Sequence, residues 1–227
     1  DLLLGDPDDD AVAGAIGRLA PDVIGVSVRN VDDQNLQAPT FLLDSARAVV
    51  AACRAASTAP VVVGGAGYSI FPVAALRYLG ADLGVAGEGE LAFPALLTAL
   101  AEGRDPAGVP GVCTPLATTT PRRSPAVRLD DLASPYADLA AHLADPEPGL
   151  AIPVQSRRGC PFECSYCSTP AIEGHAVHWR SPSLVVADLE PLAEAGVRRL
   201  HFVDNTFNLP ERYALDLCER LIDLGAP

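Results

Sequence analysis

The sequence contains no lysine and no methionine, and only 5% of its residues are aromatic. All 16 basic residues are therefore arginine, and against 29 acidic ones they leave a formal charge of −13. A chain so poor in positive charge cannot neutralise a run of phosphates, which excludes a general nucleic-acid binder. No charged-then-apolar leader opens the chain, so a cytoplasmic protein is expected. The longest uncharged stretch, residues 55–76, is broken by Pro60, Pro72 and the run Gly64-Gly65-Ala66-Gly67. Those breakers divide it into strand, loop and helix, and no membrane span is expected. Internal repeats and low-complexity tracts are also lacking. What is present is apolar: 49% hydrophobic residues and a mean hydropathy of +0.22 exclude disorder. The chain starts at Asp1 and runs straight into Leu2, and it stops at Pro227 after a helical pattern, as expected of a piece of a longer protein.

Three stretches differ in pattern. Over residues 1–113 short apolar runs alternate with helical periodicity, the signature of a parallel α/β layer. Strands are predicted at 2–4, 23–28, 61–63 and 83–85. Helices are predicted up to residue 19 behind the acidic run 6–10, over 41–56, near 72–79, and from 87 to about 102. Residues 114–149 lose periodicity and carry Pro115, Pro121, Pro125, Pro135, Pro146 and Pro148, which predicts an interdomain linker. From residue 150 a βαβα run follows: strand 152–155, helix 183–195 with Ser181 and Ser183 as capping candidates, strand 200–203, and helix 210–224 with proline in its first turn.

Six cysteines are spread unevenly. Cys53 and Cys218 fall on apolar faces of predicted helices, where a buried thiol is expected, and Cys113 lies at a strand end without a pattern. The other three form Cys160-Pro161-Phe162-Glu163-Cys164-Ser165-Tyr166-Cys167, a C-x3-C-x2-C. Disulfides fit badly, since three clustered cysteines leave one unpaired. Three metal readings compete. Zinc wants four ligands and could recruit His175 and His178, at spacings shorter than finger motifs use. An electron-transfer cluster wants four thiolates, and the next cysteine is Cys218. A four-iron cluster held by three thiolates, with one iron open for chemistry, suits the soft donor set.

This loop, preceded by strand 152–155 and Arg157-Arg158-Gly159, resembles the radical S-adenosylmethionine (SAM) superfamily, whose signature follows the first strand of a β/α barrel. The resemblance implies a 4Fe–4S cluster on Cys160, Cys164 and Cys167, with SAM bound at the open iron and cleaved by one electron to a 5′-deoxyadenosyl radical. It also implies SAM contacts from Tyr166 and from the end of the second barrel strand, here Asp204 and Asn205. That end reads Val203-Asp204-Asn205-Thr206 where the family commonly has Gly-Gly-Glu. A helix-capping role for Asp204 and Asn205 stands beside the SAM role.

In the first stretch a dinucleotide fingerprint fails, because Gly65 and Gly67 are followed by Ile70 where a third glycine is required. The series formed by residues 21–28, Gly64-Gly65, Gly80-Ala81-Asp82 and Gly87-Glu88-Gly89-Glu90 resembles the cobalamin-binding domain found upstream of many radical SAM cores. The whole chain then resembles a cobalamin-dependent radical SAM enzyme. Its expected fold is a Rossmann-like, flavodoxin-like parallel-sheet domain over 1–113, a linker over 114–149 and the first βα units of a barrel over 150–227. The resemblance implies a cobalamin site lined by Ser27, Arg29, Asn30, Gly64, Gly65, Gly67, Gly87, Glu88 and Gly89. One family variant ligates cobalt through a D-x-H-x-x-G histidine. Here His142, His175, His178 and His201 all lie outside the first stretch, and Arg29 is the nearest polar residue to face cobalt, or else pairs with Asp32 or Asp33. The implied activity is methyl transfer to an unactivated carbon of a small-molecule or peptide substrate, with a flavodoxin or ferredoxin as electron donor. Alternatives are a cobalamin-assisted rearrangement or oxidative cyclisation and, in another class, a non-catalytic metal- or cofactor-binding module.

Overall fold

In the computed structural model, which describes residues 9–143 and 151–224, contacts cluster into two compact units that divide between Ala126 and Val127. The first unit is built on a sheet of β1 (Ile24–Ser27), β2 (Val61–Gly64), β3 (Leu83–Val85) and β4 (Val112–Cys113), in that order. The first three strands are parallel and β4 runs antiparallel to β3. The parallel layer expected from the alternation is therefore closed by one antiparallel strand too short to carry a readable pattern. The expected strand at 2–4 lies outside the described residues.

The run Val61-Val62-Val63 explains the layering. Its β-branched side chains suit a pleated central strand, and alternate residues face opposite sides. Val61 and Val63 join a core with Val12 and Ile16 of α1 (Asp9–Leu19), Val50 and Cys53 of α2 (Leu43–Ala56), Tyr68 of α3 (Ala66–Ile70) and Leu76 of α4 (Pro72–Leu79). Val62 faces the other way, onto Leu96 and Ala99 of α5 (Gly89–Ala101). Helices thus cover both faces of the sheet, as an apolar parallel strand requires. The glycine stretch after β2, expected as a loop, folds as the short α3.

Gly84 is where the fully buried Tyr68 crosses the sheet. A Cβ at residue 84 would lie 1.9 Å from the Tyr68 hydroxyl oxygen and 2.3 Å from Cζ. Gly84→Ala is expected to destabilise this unit by about 3 kcal/mol through overpacking, with partial recovery when Tyr68→Leu is added. Denaturant unfolding followed by far-UV circular dichroism measures this, and a change within about 0.5 kcal/mol contradicts it.

The second unit contains α6 (Tyr136–His142), the parallel pair β5 (Ile152–Val154) and β8 (Leu200–Phe202), the two-residue hairpin strands β6 (Arg157–Arg158) and β7 (His178–Trp179), and helices α7 (Thr169–Ile172), α8 (Pro182–Glu194) and α9 (Glu211–Asp223). Ile152 and Val154 pack on Val185, Leu189 and Leu192 of α8 and on Tyr213 and Leu217 of α9. These are the first two βα units of a barrel. Leu217 takes the inward position on α9 at 0% exposure. Cys218, expected to be buried, is exposed, because the next residue lies about 100° further round the helix.

The stretch expected as a linker does not behave as one piece. The Gly111 N–H donates to the Arg122 carbonyl at 2.7 Å within the first unit. Leu129, Tyr136, Ala140 and Leu143 pack into the second, where the Tyr136 hydroxyl donates to the Pro153 carbonyl at 3.2 Å. Arg180 staples this strap down. Its guanidinium donates to the carbonyls of Leu129 and Leu132 (3.0 Å) and pairs with Asp188 of α8 at 2.6 Å. Ser181 precedes α8 without capping it. Its hydroxyl and N–H both donate to the Asp130 carboxylate, each at 2.6 Å, which holds that carboxyl below its usual range.

Candidate functional site

The cysteine loop leaves the C-terminal end of β5, passes through the β6–β7 hairpin and carries α7. Hairpin pairing of Arg157 with Trp179 and Arg158 with His178 closes the loop at its base. Inside it the Cys160 N–H donates to the Gly174 carbonyl and the Cys167 N–H to the Cys164 carbonyl, both at 3.1 Å. Cys160 is buried, whereas Cys164 and Cys167 are exposed. A hydrogen bond from the Thr169 hydroxyl, and then its backbone N–H, holds the Cys167 thiol below its usual range. Tyr166, 89% exposed, has its phenol raised by a hydrogen bond to the Cys164 sulfur and by that group's charge.

Among the described residues no three His, Cys, Asp or Glu side chains converge on one metal position. That holds for Cys160, Cys164 and Cys167 as much as for the set with His175 and His178, and His178 is placed in β7. Three thiols share this hairpin-anchored loop with Glu163, Glu173 and His175. The soft, all-sulfur set of the three thiols fits an iron–sulfur cluster.

Asp204 and Asn205 follow β8, and neither caps α9. One Asp204 oxygen accepts the N–H groups of Ser156 (2.7 Å) and Arg157 (3.1 Å), and the other accepts the Ser156 hydroxyl at 2.6 Å. Asp204 thereby ties together the ends of the two parallel strands. Asn205 donates to the Glu173 carboxylate at 2.6 Å and accepts from the Thr169 hydroxyl at 3.1 Å. Ser156, Thr169 and Glu173 escaped the sequence reading, because each meets its partner across a long loop. Arg157, 1% exposed, donates to the Phe207 carbonyl and lies with its guanidinium 5.4 Å from the centre of the Tyr213 ring.

In the first unit the loops after β1, β2 and β3 meet at one edge of the sheet. A Cβ on Gly65 would stand 2.6 Å from the Val28 carbonyl oxygen, and one on Gly67 would stand 2.8 Å from the Asn30 carbonyl carbon. These glycines let two loops interlock, and the Gly67 N–H donates to the Val28 carbonyl at 3.0 Å. Gly64 has more room, 3.4 Å from the Val85 carbonyl oxygen. The buried Ser69 completes the edge: its hydroxyl donates to the Gly65 carbonyl at 2.7 Å and accepts the Gly87 N–H at 2.9 Å. Ser27, Arg29 and Asn30 are exposed beside it, and Glu88 and Gly89 open α5. The carboxylates of Asp32 and Asp33 accept loop N–H groups from Gln34, Asn35 and Thr40. No ion pair among the described residues involves Arg29.

Residues 1–97 match the B12 binding domain family. The tryptophan 2-C-methyltransferase of Streptomyces laurentii is 27% identical over 254 aligned residues, covering 89% of this chain and 42% of that protein. The solved structure of the radical S-adenosylmethionine methyltransferase TsrM from Kitasatospora setae, with tryptophan and a SAM analogue bound, superposes with a TM-score of 0.79 at 27% identity, over 95% of this chain and 42% of that one. Over most of its length the chain is similar to these cobalamin-binding radical SAM proteins. It spans under half the length of these two relatives. An uncharacterised methyltransferase of Pyrococcus horikoshii is 28% identical over 94% of this chain and 46% of its own length. Among the described residues, no helix of the chain is long and apolar enough to cross a membrane.

Proposed function

We propose that the whole protein is a cytoplasmic, cobalamin-dependent radical SAM methyltransferase acting on an unactivated carbon of a small-molecule or peptide substrate, with a flavodoxin or ferredoxin supplying electrons. The observation that carries this reading is a three-thiol loop at the C-terminal ends of two parallel βα strands, on the same chain as a B12-binding domain. When bound, the 4Fe–4S cluster, SAM and methylcobalamin supply the one-electron and methyl-transfer chemistry. The chain's own residues bind and orient. Cys160, Cys164 and Cys167 donate the thiolates, and Asn205 and Tyr166 border the SAM position. Asp204 acts through the strand ends it joins, since both its oxygens are engaged. At the first unit's edge Ser27, Asn30, the glycines 64, 65, 67, 87 and 89, and Glu88 surround the corrin. Arg29 faces cobalt there with a charge that disfavours ligation.

Two uses of SAM follow, one for hydrogen abstraction and one to remethylate cobalt. The whole enzyme is expected to form 5′-deoxyadenosine and S-adenosylhomocysteine in similar amounts, with product heavier by one methyl that carries label from deuterated SAM. Mass spectrometry of the nucleosides tests this. Deoxyadenosine without S-adenosylhomocysteine points instead to rearrangement or oxidation, and S-adenosylhomocysteine alone means methylation without hydrogen abstraction.

A further inference from the structure

Glu173 sits just past the C-terminal end of α7, six residues beyond the last cysteine of the loop. One of its oxygens accepts the Gly159 N–H at 2.8 Å and the Asn205 side-chain amide at 2.6 Å. The other accepts the Gln155 side-chain amide at 3.1 Å. Gln155 immediately follows β5, Gly159 immediately precedes Cys160, and Asn205 follows β8. A single carboxylate therefore joins both strand ends to the cysteine loop. The chain of contacts continues from Asn205 to the Thr169 hydroxyl at 3.1 Å, two residues past Cys167. The next residue, Gly174, accepts the Cys160 N–H through its carbonyl at 3.1 Å.

We propose that Glu173 is a positioning residue that sets the cysteine loop and the Asn205 side chain in one arrangement, coupling cluster assembly to SAM binding. This rests on the reading of the loop as a cluster site with Asn205 beside SAM. The carboxylate works as a hydrogen-bond acceptor at a fixed place. Glutamine can keep one oxygen on Gly159 and Asn205, and its amide can donate to a rotated Gln155. Alanine leaves all three donors without their partner. Partners behind a metal's ligands commonly change affinity by about 10–100-fold when removed.

The test compares wild type, Glu173→Gln and Glu173→Ala in the whole protein. Amide exchange at Gly159 is read in the iron-free chain, and the dissociation constant for SAM is read from the change in the electron paramagnetic resonance signal of the reduced cluster. In Glu173→Ala, exchange at Gly159 is expected to quicken by at least about tenfold and SAM affinity to fall by about tenfold or more, with Glu173→Gln within about threefold of wild type in both. Wild-type values in Glu173→Ala, or equal impairment in Glu173→Gln and Glu173→Ala, overturn the proposal. A wild-type protein that takes up no iron and sulfide overturns the underlying cluster reading instead, whatever Gly159 does.

Discussion

Alanine at any one of Cys160, Cys164 or Cys167 is expected to leave the whole protein without a cluster. Two thiolates cannot hold a cuboid whose remaining irons need ligands, and no other cysteine is near in sequence to substitute. Anaerobic reconstitution followed by iron and sulfide analysis, with the thiolate-to-iron absorption band as a second readout, should show near-stoichiometric cluster in wild type and none in the three variants. Cys218→Ser is the cleanest control, because that thiol is exposed on α9 and outside the loop. It should retain the full band. Cys53→Ser and Cys113→Ser should retain it too, although both thiols are buried in the first unit. Stoichiometric zinc without sulfide in the wild-type protein would overturn the assignment.

Arg180→Ala is expected to destabilise the second unit by about 3–5 kcal/mol, the loss typical of breaking a buried ion pair from one side. The Arg180 and Asp188 side chains are only 13% and 12% exposed, so the stranded carboxylate cannot be rehydrated cheaply. The carbonyls of Leu129 and Leu132 lose their donor at the same time. Replacing both partners, Arg180→Met with Asp188→Leu, should recover part of the loss, since no lone charge then remains buried. The chain's single tryptophan, Trp179, is the neighbouring residue, and its ring lies tilted at 50° with its centre 5.9 Å from that of Tyr213. Its fluorescence reports this unit alone in a denaturant titration. An unchanged midpoint for Arg180→Ala would show that the strap is held by other contacts.

How much of this was legible beforehand follows the range of the interactions involved. Val61-Val62-Val63 and the C-x3-C-x2-C spacing are local signals, so the central strand, the helices around it and the position of the cysteine loop after β5 could be placed from the sequence. The family resemblance added the two-part architecture and the cofactors. The β6–β7 hairpin was not legible, because each strand has two residues and some twenty residues separate them. The same holds for Asp204 and Ser156, whose hydrogen bonds span 48 positions. For Asp204 a helix cap stood beside the SAM contact that the resemblance implies, because aspartate is a favoured residue at helix N-caps. Gly65 and Gly67 were singled out as places where a ligand could approach the backbone, and the close approach the fold shows at them is to the loop after β1. Proline spacing suggested a linker, whereas Leu129 and Tyr136 show that prolines also punctuate a well-packed strap.

That strap bears on how such proteins can be cut and rejoined. A chimera that exchanges the cobalamin-binding part for one from another lineage has an obvious seam at residue 150, where the strand pattern resumes. Joining there would strip the recipient barrel of Leu129, Asp130 and Tyr136, leaving Arg180 without its two carbonyl acceptors and Ser181 without the Asp130 carboxylate. Recombination that preserves the barrel must instead cross over near Val127. The segment between the two units is thus inherited with the second of them.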